Sequence, residues 1–85
     1  MAYTVLLRPS AERDRRSLPP DIRRRITDAL LSLETDPRPP GAVKLTGQRN
    51  RWRVRVGGYR LIYQIDDAPF QLLVVRIAHR REVYR

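Results

Sequence analysis

The chain has 85 residues, with 18 Lys+Arg against 9 Asp+Glu, a formal net charge of +9 and no cysteine. That length supports one domain, residues 1–85, and leaves no room for a second catalytic module. The missing cysteines exclude disulfides, thiolate metal sites and a cysteine nucleophile, while the charge excess should attract nucleic acid, an acidic protein or an anionic membrane surface.

Lys44 is the only lysine, so the basic surface is made of guanidinium groups. These favour planar, bidentate contacts with phosphate or carboxylate, although a GC-rich coding sequence produces the same bias. His79 is the lone histidine, Asp66-Asp67 is the only adjacent acidic pair, and no metal-ligand spacing emerges. No metal and no cofactor are expected. No apolar run approaches the ~18 residues of a membrane span, and no signal-like segment opens the chain, so the expectation is a cytoplasmic protein without a membrane partner.

In chain order, Tyr3 to Arg8 is rich in β-formers and reads as a strand ended by Pro9. Ser10 is placed to cap a short helix reaching about Ser17. Its charges, Glu12, Asp14, Arg13, Arg15 and Arg16, require most of it to face solvent. Pro19-Pro20 then breaks the chain, and Pro20 suits the first turn of a second helix. Ile22, Ile26, Ala29, Leu30 and Leu33 fall on one stripe of that helix. The segment from Asp36 to Gly41 carries Pro37, Pro39, Pro40 and Gly41 and reads as a rigid connector.

Trp52 to Tyr63 has the pattern of a tight hairpin turning at Gly57-Gly58. A two-residue turn there sets Val56 opposite Tyr59, Arg55 opposite Arg60, Val54 opposite Leu61 and Trp52 opposite Tyr63. Alternation sends the six apolar side chains to a core face and Arg51, Arg53, Arg55 and Arg60 to the other. Like charges directly opposite each other weaken a sheet, so folding alone would favour an acidic partner for Arg55. The alternatives are a solvated face in an arginine-rich protein and a ligand-facing role, and four arginines on one hairpin face favour the ligand. Asp66 to Pro69 marks a turn, and Phe70 to Ile77 is an apolar run suited to an inner strand.

The order β-α-α-β-β-β predicts an α+β domain with two helices packed on one face of a small, mainly antiparallel sheet. Helices over the apolar hairpin face leave the arginine face open. Such a platform suits RNA or DNA, and Tyr84 is the aromatic residue best placed to stack on a base.

The run Lys44-Leu45-Thr46-Gly47, the hairpin from Trp52 to Tyr63, and the tail His79-Arg80-Arg81-Glu82-Val83-Tyr84-Arg85 closely resemble the RelE-type toxins of the RelE/ParE superfamily. Tyr3, Pro9, Ala11 and the Asp36-Pro37-Arg38 connector fall in that family's order and spacing, so the resemblance spans essentially the whole chain. It implies a RelE-like fold and a toxin held inactive by a cognate antitoxin. The implied activity is metal-free, ribosome-dependent cleavage of mRNA in the ribosomal A site. Ribosome and mRNA are then partners, and DNA is reached only indirectly, through the toxin–antitoxin complex.

The same resemblance implies roles for individual residues. Arg53 and Arg55 would bind the RNA backbone and assist deprotonation of the 2′-hydroxyl, and Arg60 would clamp the scissile phosphate. Arg80 would stabilise the leaving group and Tyr84 would orient the A-site base. Lys44, Arg51, His79 and Arg81 complete the expected RNA-binding set. Well-known members carry lysine where this chain has Arg53 and Arg55, and a guanidinium with a pKa above ~12 is a poor base. His79, with an ordinary pKa near ~6.5, or Tyr84 would then share proton transfer. Two other readings share the fold: a ParE-like inhibitor of DNA gyrase without nuclease chemistry, and a remnant that acts chiefly within a DNA-binding repressor complex.

Overall fold

The computed structural model describes residues 2–79. Strand β1 (Thr4–Leu7) leads into helix α1 (Pro9–Arg16) and helix α2 (Pro20–Thr35). Four strands follow: β2 (Val43–Lys44), β3 (Arg51–Val56), β4 (Tyr59–Asp66) and β5 (Gln71–His79). The expected order holds, with one addition: β2 is a two-residue edge strand, too short to leave a periodic pattern in the sequence.

The five strands run in the order β1-β5-β4-β3-β2, antiparallel except where β1 lies parallel to β5. The β3–β4 hairpin has the expected register, with Arg55 opposite Arg60 and Trp52 opposite Tyr63. Gly57 takes φ +61, a left-handed value that a two-residue hairpin turn demands of its first residue. Between β4 and β5 the register shifts, so that Ile62 pairs with Arg76 and Tyr63 with Val74. This bulge at Val75 lets both Val74 and Ile77 reach the core, whereas uninterrupted alternation would turn Arg76 inward.

Both helices cover the apolar face. Ala11 and Leu18 join Ile26, Leu30 and Leu33 of α2 against Leu61, Tyr63, Ile65, Leu72, Val74 and Ile77. Full burial of each aliphatic side chain contributes roughly 1.5–3 kcal/mol, so the α2 stripe alone is enough to fix that helix on the sheet. Ser10 does not cap α1. Pro9 opens the helix after an extended Arg8, and the Ser10 hydroxyl instead donates to the Val75 carbonyl at 2.9 Å. The reason lies in the sheet: β1 pairs with β5 only as far as Val74, which leaves the next stretch of β5 edge to be satisfied by α1. Asp14 completes that cover by accepting bonds from the Ile77 amide (2.9 Å) and the Arg76 Nε (2.8 Å).

Candidate active site

Because β3 alternates, Arg51, Arg53 and Arg55 project from the side of the sheet that the helices leave uncovered, and Arg60 of β4 lies directly across from Arg55. Arg53, Arg55 and Arg60, together with Gly41, line one pocket of about 280 Å³. Among the described residues its walls contain three cations and no carboxylate. The face is less open than alternation implies: Arg55 is exposed and Arg53 half-buried, but Arg60 is only 3% exposed. Arg60 sits on an inner strand with Arg55 on one side and Ala78 on the other, which accounts for its burial while it still lines the pocket. A cation held in place and partly desolvated acts on a phosphate more strongly than one free in water.

The remaining described lining residue, Gly41, comes from the connector. Buried Tyr63 donates its hydroxyl to the Pro37 carbonyl at 2.8 Å, and burial pushes that phenol up to about 12. One residue on, the Arg38 guanidinium lies 5.2 Å from the Trp52 ring centroid and donates to both Asp67 oxygens, at 3.0 and 3.3 Å. Asp67 also accepts the Tyr3 hydroxyl at 2.6 Å. The bonds from Arg38, then Tyr3, hold the Asp67 carboxyl below its ordinary value, and Asp67 in turn raises both partners. With Pro37 and Arg38 fixed and Pro39-Pro40 stiffening the chain, Gly41 arrives at the rim of the arginine pocket. Its φ of +91 is a backbone state that suits glycine.

The remaining expected residues divide. Arg51 shares the arginine face but lies at the far end of β3, where its Nη1 donates to Gln48 Oε1 at 3.3 Å. Lys44 registers with Trp52 and His79 with Tyr59, which places both on the helix side, away from the arginine pocket. His79 packs edge-on against Tyr59, centroids 5.1 Å apart. Their nearness in sequence to the arginines concealed this parity. Arg80, Arg81 and Tyr84 lie outside the described residues. Two contributors went unnoticed in the sequence: Gly41, signalled only by a glycine after a proline pair, and Arg25 of α2, whose guanidinium lies over the hairpin turn. A Cβ on Gly57 would be 3.2 Å from Arg25 Nη1.

Residues 5–84 match the family model described as the ParE toxin of the type II toxin–antitoxin system parDE. The chain is 34% identical to toxin RelG of Mycobacterium tuberculosis over 86 residues, covering all of this chain and 99% of that protein. This chain belongs to the RelE/ParE superfamily of type II toxins. Solved structures agree. A toxin–antitoxin complex, RelBE2 of M. tuberculosis, matches at a TM-score of 0.84 with 30% identity, over 94% of this chain and 100% of that one. The isolated E. coli RelE toxin matches at 0.81 with 28% identity, over 98% and 92% respectively. The archaeal RelE–RelB complex of Pyrococcus horikoshii OT3 matches at 0.84 with 27% identity, over 94% and 97%. As in these RelE toxins, the fold is two helices on a five-stranded, mostly antiparallel sheet. The arginine pocket of this family member can bind a phosphate from several directions at once and stabilise added negative charge on it.

Proposed function

We propose that this toxin is a ribosome-dependent endoribonuclease that cuts mRNA in the A site by transesterification without a metal. One observation carries the reading: Arg53, Arg55 and Arg60 line a single pocket that has no carboxylate among its described residues. In the proposed reaction the 2′-oxygen bonds to the adjacent phosphorus as its proton passes to a base. The bond from phosphorus to the 5′-oxygen then breaks, and that oxygen takes up a proton. The products are a 2′,3′-cyclic phosphate and a 5′-hydroxyl. Charge on the phosphorane is greatest midway, and the buried Arg60 meets it with little reorganisation, while Arg53 and Arg55 hold the flanking backbone.

Arg80 as the leaving-group cation and Tyr84 as the base-stacking residue follow from the family resemblance. His79 stands with Tyr59 on the opposite parity from Arg60, which makes Tyr84 the better proton-transfer candidate of the two. A cognate antitoxin is the regulatory partner, by analogy with the RelBE2 and archaeal RelE–RelB complexes. The ribosome supplies the A-site substrate, and DNA is contacted only through the toxin–antitoxin complex.

A second reading, inhibition of DNA gyrase, is favoured by the ParE description of the matching family model. Inducing the chain without its partner and mapping new mRNA 5′ ends by primer extension separates the two. Cuts within translated codons that vanish when translation is blocked are expected. Growth arrest with intact mRNA and lost DNA supercoiling would overturn the nuclease reading in favour of gyrase.

A further inference from the structure

Beyond the cleavage pocket, the arginine face continues along β3 into a second hollow of about 400 Å³ lined by Gln48, Arg49, Asn50, Arg51 and Gln64. Gln64 registers with Arg51 across β3 and β4, so both stand on the same side of the sheet as Arg53 and Arg55. At about 3.3 Å per residue, Arg51 lies roughly 13 Å along the strand from Arg55. A single strand with one phosphate at the cleavage arginines therefore reaches this hollow within a few nucleotides.

We propose that this hollow is a base-reading subsite for the mRNA strand, flanking the cleavage position and setting sequence preference. The inference rests on the nuclease reading for its ligand. Its chemistry differs from that of the cleavage pocket, since two cations are joined by three primary amides. A phosphate needs only the cations. A planar amide presents a donor and an acceptor side by side, the arrangement that pairs with a nucleobase edge, as Asn and Gln do with adenine.

The loop that carries Gln48 and Asn50 is also tied down along its backbone. The Asn50 carbonyl accepts the Ile65 amide at 3.0 Å, and the Leu45 amide donates to the Arg51 carbonyl at 2.9 Å. Asn50 itself has φ +56, a left-handed state that asparagine tolerates better than most residues. Gln48 is oriented by the bond it accepts from Arg51. The loop backbone is thus tied to the sheet at Asn50 and to Leu45 at Arg51, and the amides are carried on that base.

The test uses the purified full chain and four labelled 2′-O-methyl oligoribonucleotides, each of a single base type, which the transesterification cannot cleave. Fluorescence anisotropy gives the affinity ratio between the best and worst base. The wild type is expected to discriminate by about tenfold, and Gln48→Ala, Asn50→Gly and Gln64→Leu each to reduce that ratio, the triple variant to within about twofold. Gln48 and Asn50 are exposed loop positions, and glycine keeps the left-handed backbone at Asn50, so folding survives in those two even where Gln64→Leu perturbs the strand. Equal affinity for all four bases in the wild type, or discrimination that persists in the variants, overturns the subsite. Because the readout is binding, it stands apart from the nuclease reading: base discrimination without mRNA cuts would retain the subsite and reject the nuclease.

Discussion

Arg60 and Leu61 are neighbours in the chain, both almost fully buried, yet they serve opposite sides of the same strand. Leu61 faces the helices with Tyr63 and Ile77 around it, where its removal leaves a void that only partly collapses. Arg60 faces the other way, into a cation-lined pocket. One face is shaped by the removal of apolar surface from water. The other keeps like charges side by side, at some cost to the sheet, in a form suited to receive an anion.

Substitutions on the two faces should therefore separate stability from activity. Leu61→Ala is expected to cost roughly 2–5 kcal/mol in denaturant unfolding, with toxicity falling only as the folded fraction falls. Arg60→Ala is expected to lower the cutting rate on ribosome-bound mRNA by about 10²–10³, the loss typical for one donor to a developing anion. Its unfolding midpoint should fall by less than that of Leu61→Ala, because the truncation also relieves a like-charge pair with Arg55. Equal losses of stability from both variants would erase the distinction between the faces.

A smaller effect is expected where the connector meets the core. Tyr63→Phe leaves the Pro37 carbonyl without its buried donor and should cost about 1–3 kcal/mol in unfolding. If the connector positions Gly41 as described, this variant also weakens RNA affinity modestly, which anisotropy with an uncleavable strand would reveal. The smallest effect belongs to the helix side. Hydrogen bonds from Arg15, and more weakly from Arg16, hold the Glu12 carboxyl down from 4.5 to about 2. A depressed folded pKa means that Glu12 adds stability above its unfolded value near 4.5 and loses it as pH falls toward 2. Glu12→Gln should therefore flatten the acid end of the stability curve, read from thermal midpoints across that range, and leave cutting at neutral pH unchanged.

Much of the fold was legible because several local signals coincide in the hairpin. Gly57-Gly58, strict alternation and β-branched or aromatic residues all specify one register, and that register is the one observed. The α2 stripe was legible for the same reason, with Ile26, Leu30 and Leu33 buried. The parallel pairing of β1 with β5 was not, since it joins segments more than 60 residues apart and no local pattern encodes it. Ser10 looked like a cap because Ser favours that position, but a proline before it and a bare strand edge beside it gave the hydroxyl another partner.

At the candidate site, alternation yields a side but not a depth. It grouped Arg51, Arg53, Arg55 and Arg60 correctly, yet gave no sign that Arg60 is enclosed while Arg55 is exposed. The same rule, applied through the register, sets Lys44 and His79 on the other side. Gly41 joins the pocket through a chain of tertiary contacts running from Tyr3 and Asp67 through Arg38, and no sequence window contains all of them.

The most direct test of the central claim, that the arginine face performs the chemistry, is single-turnover cutting of a ribosome-bound mRNA by wild type and Arg60→Ala, with the product ends identified. Expected are 2′,3′-cyclic phosphate and 5′-hydroxyl ends from the wild type, and a rate about 10²–10³ lower from a variant still folded at the assay temperature. Equal rates from the two proteins, or ends of a different kind, would contradict it.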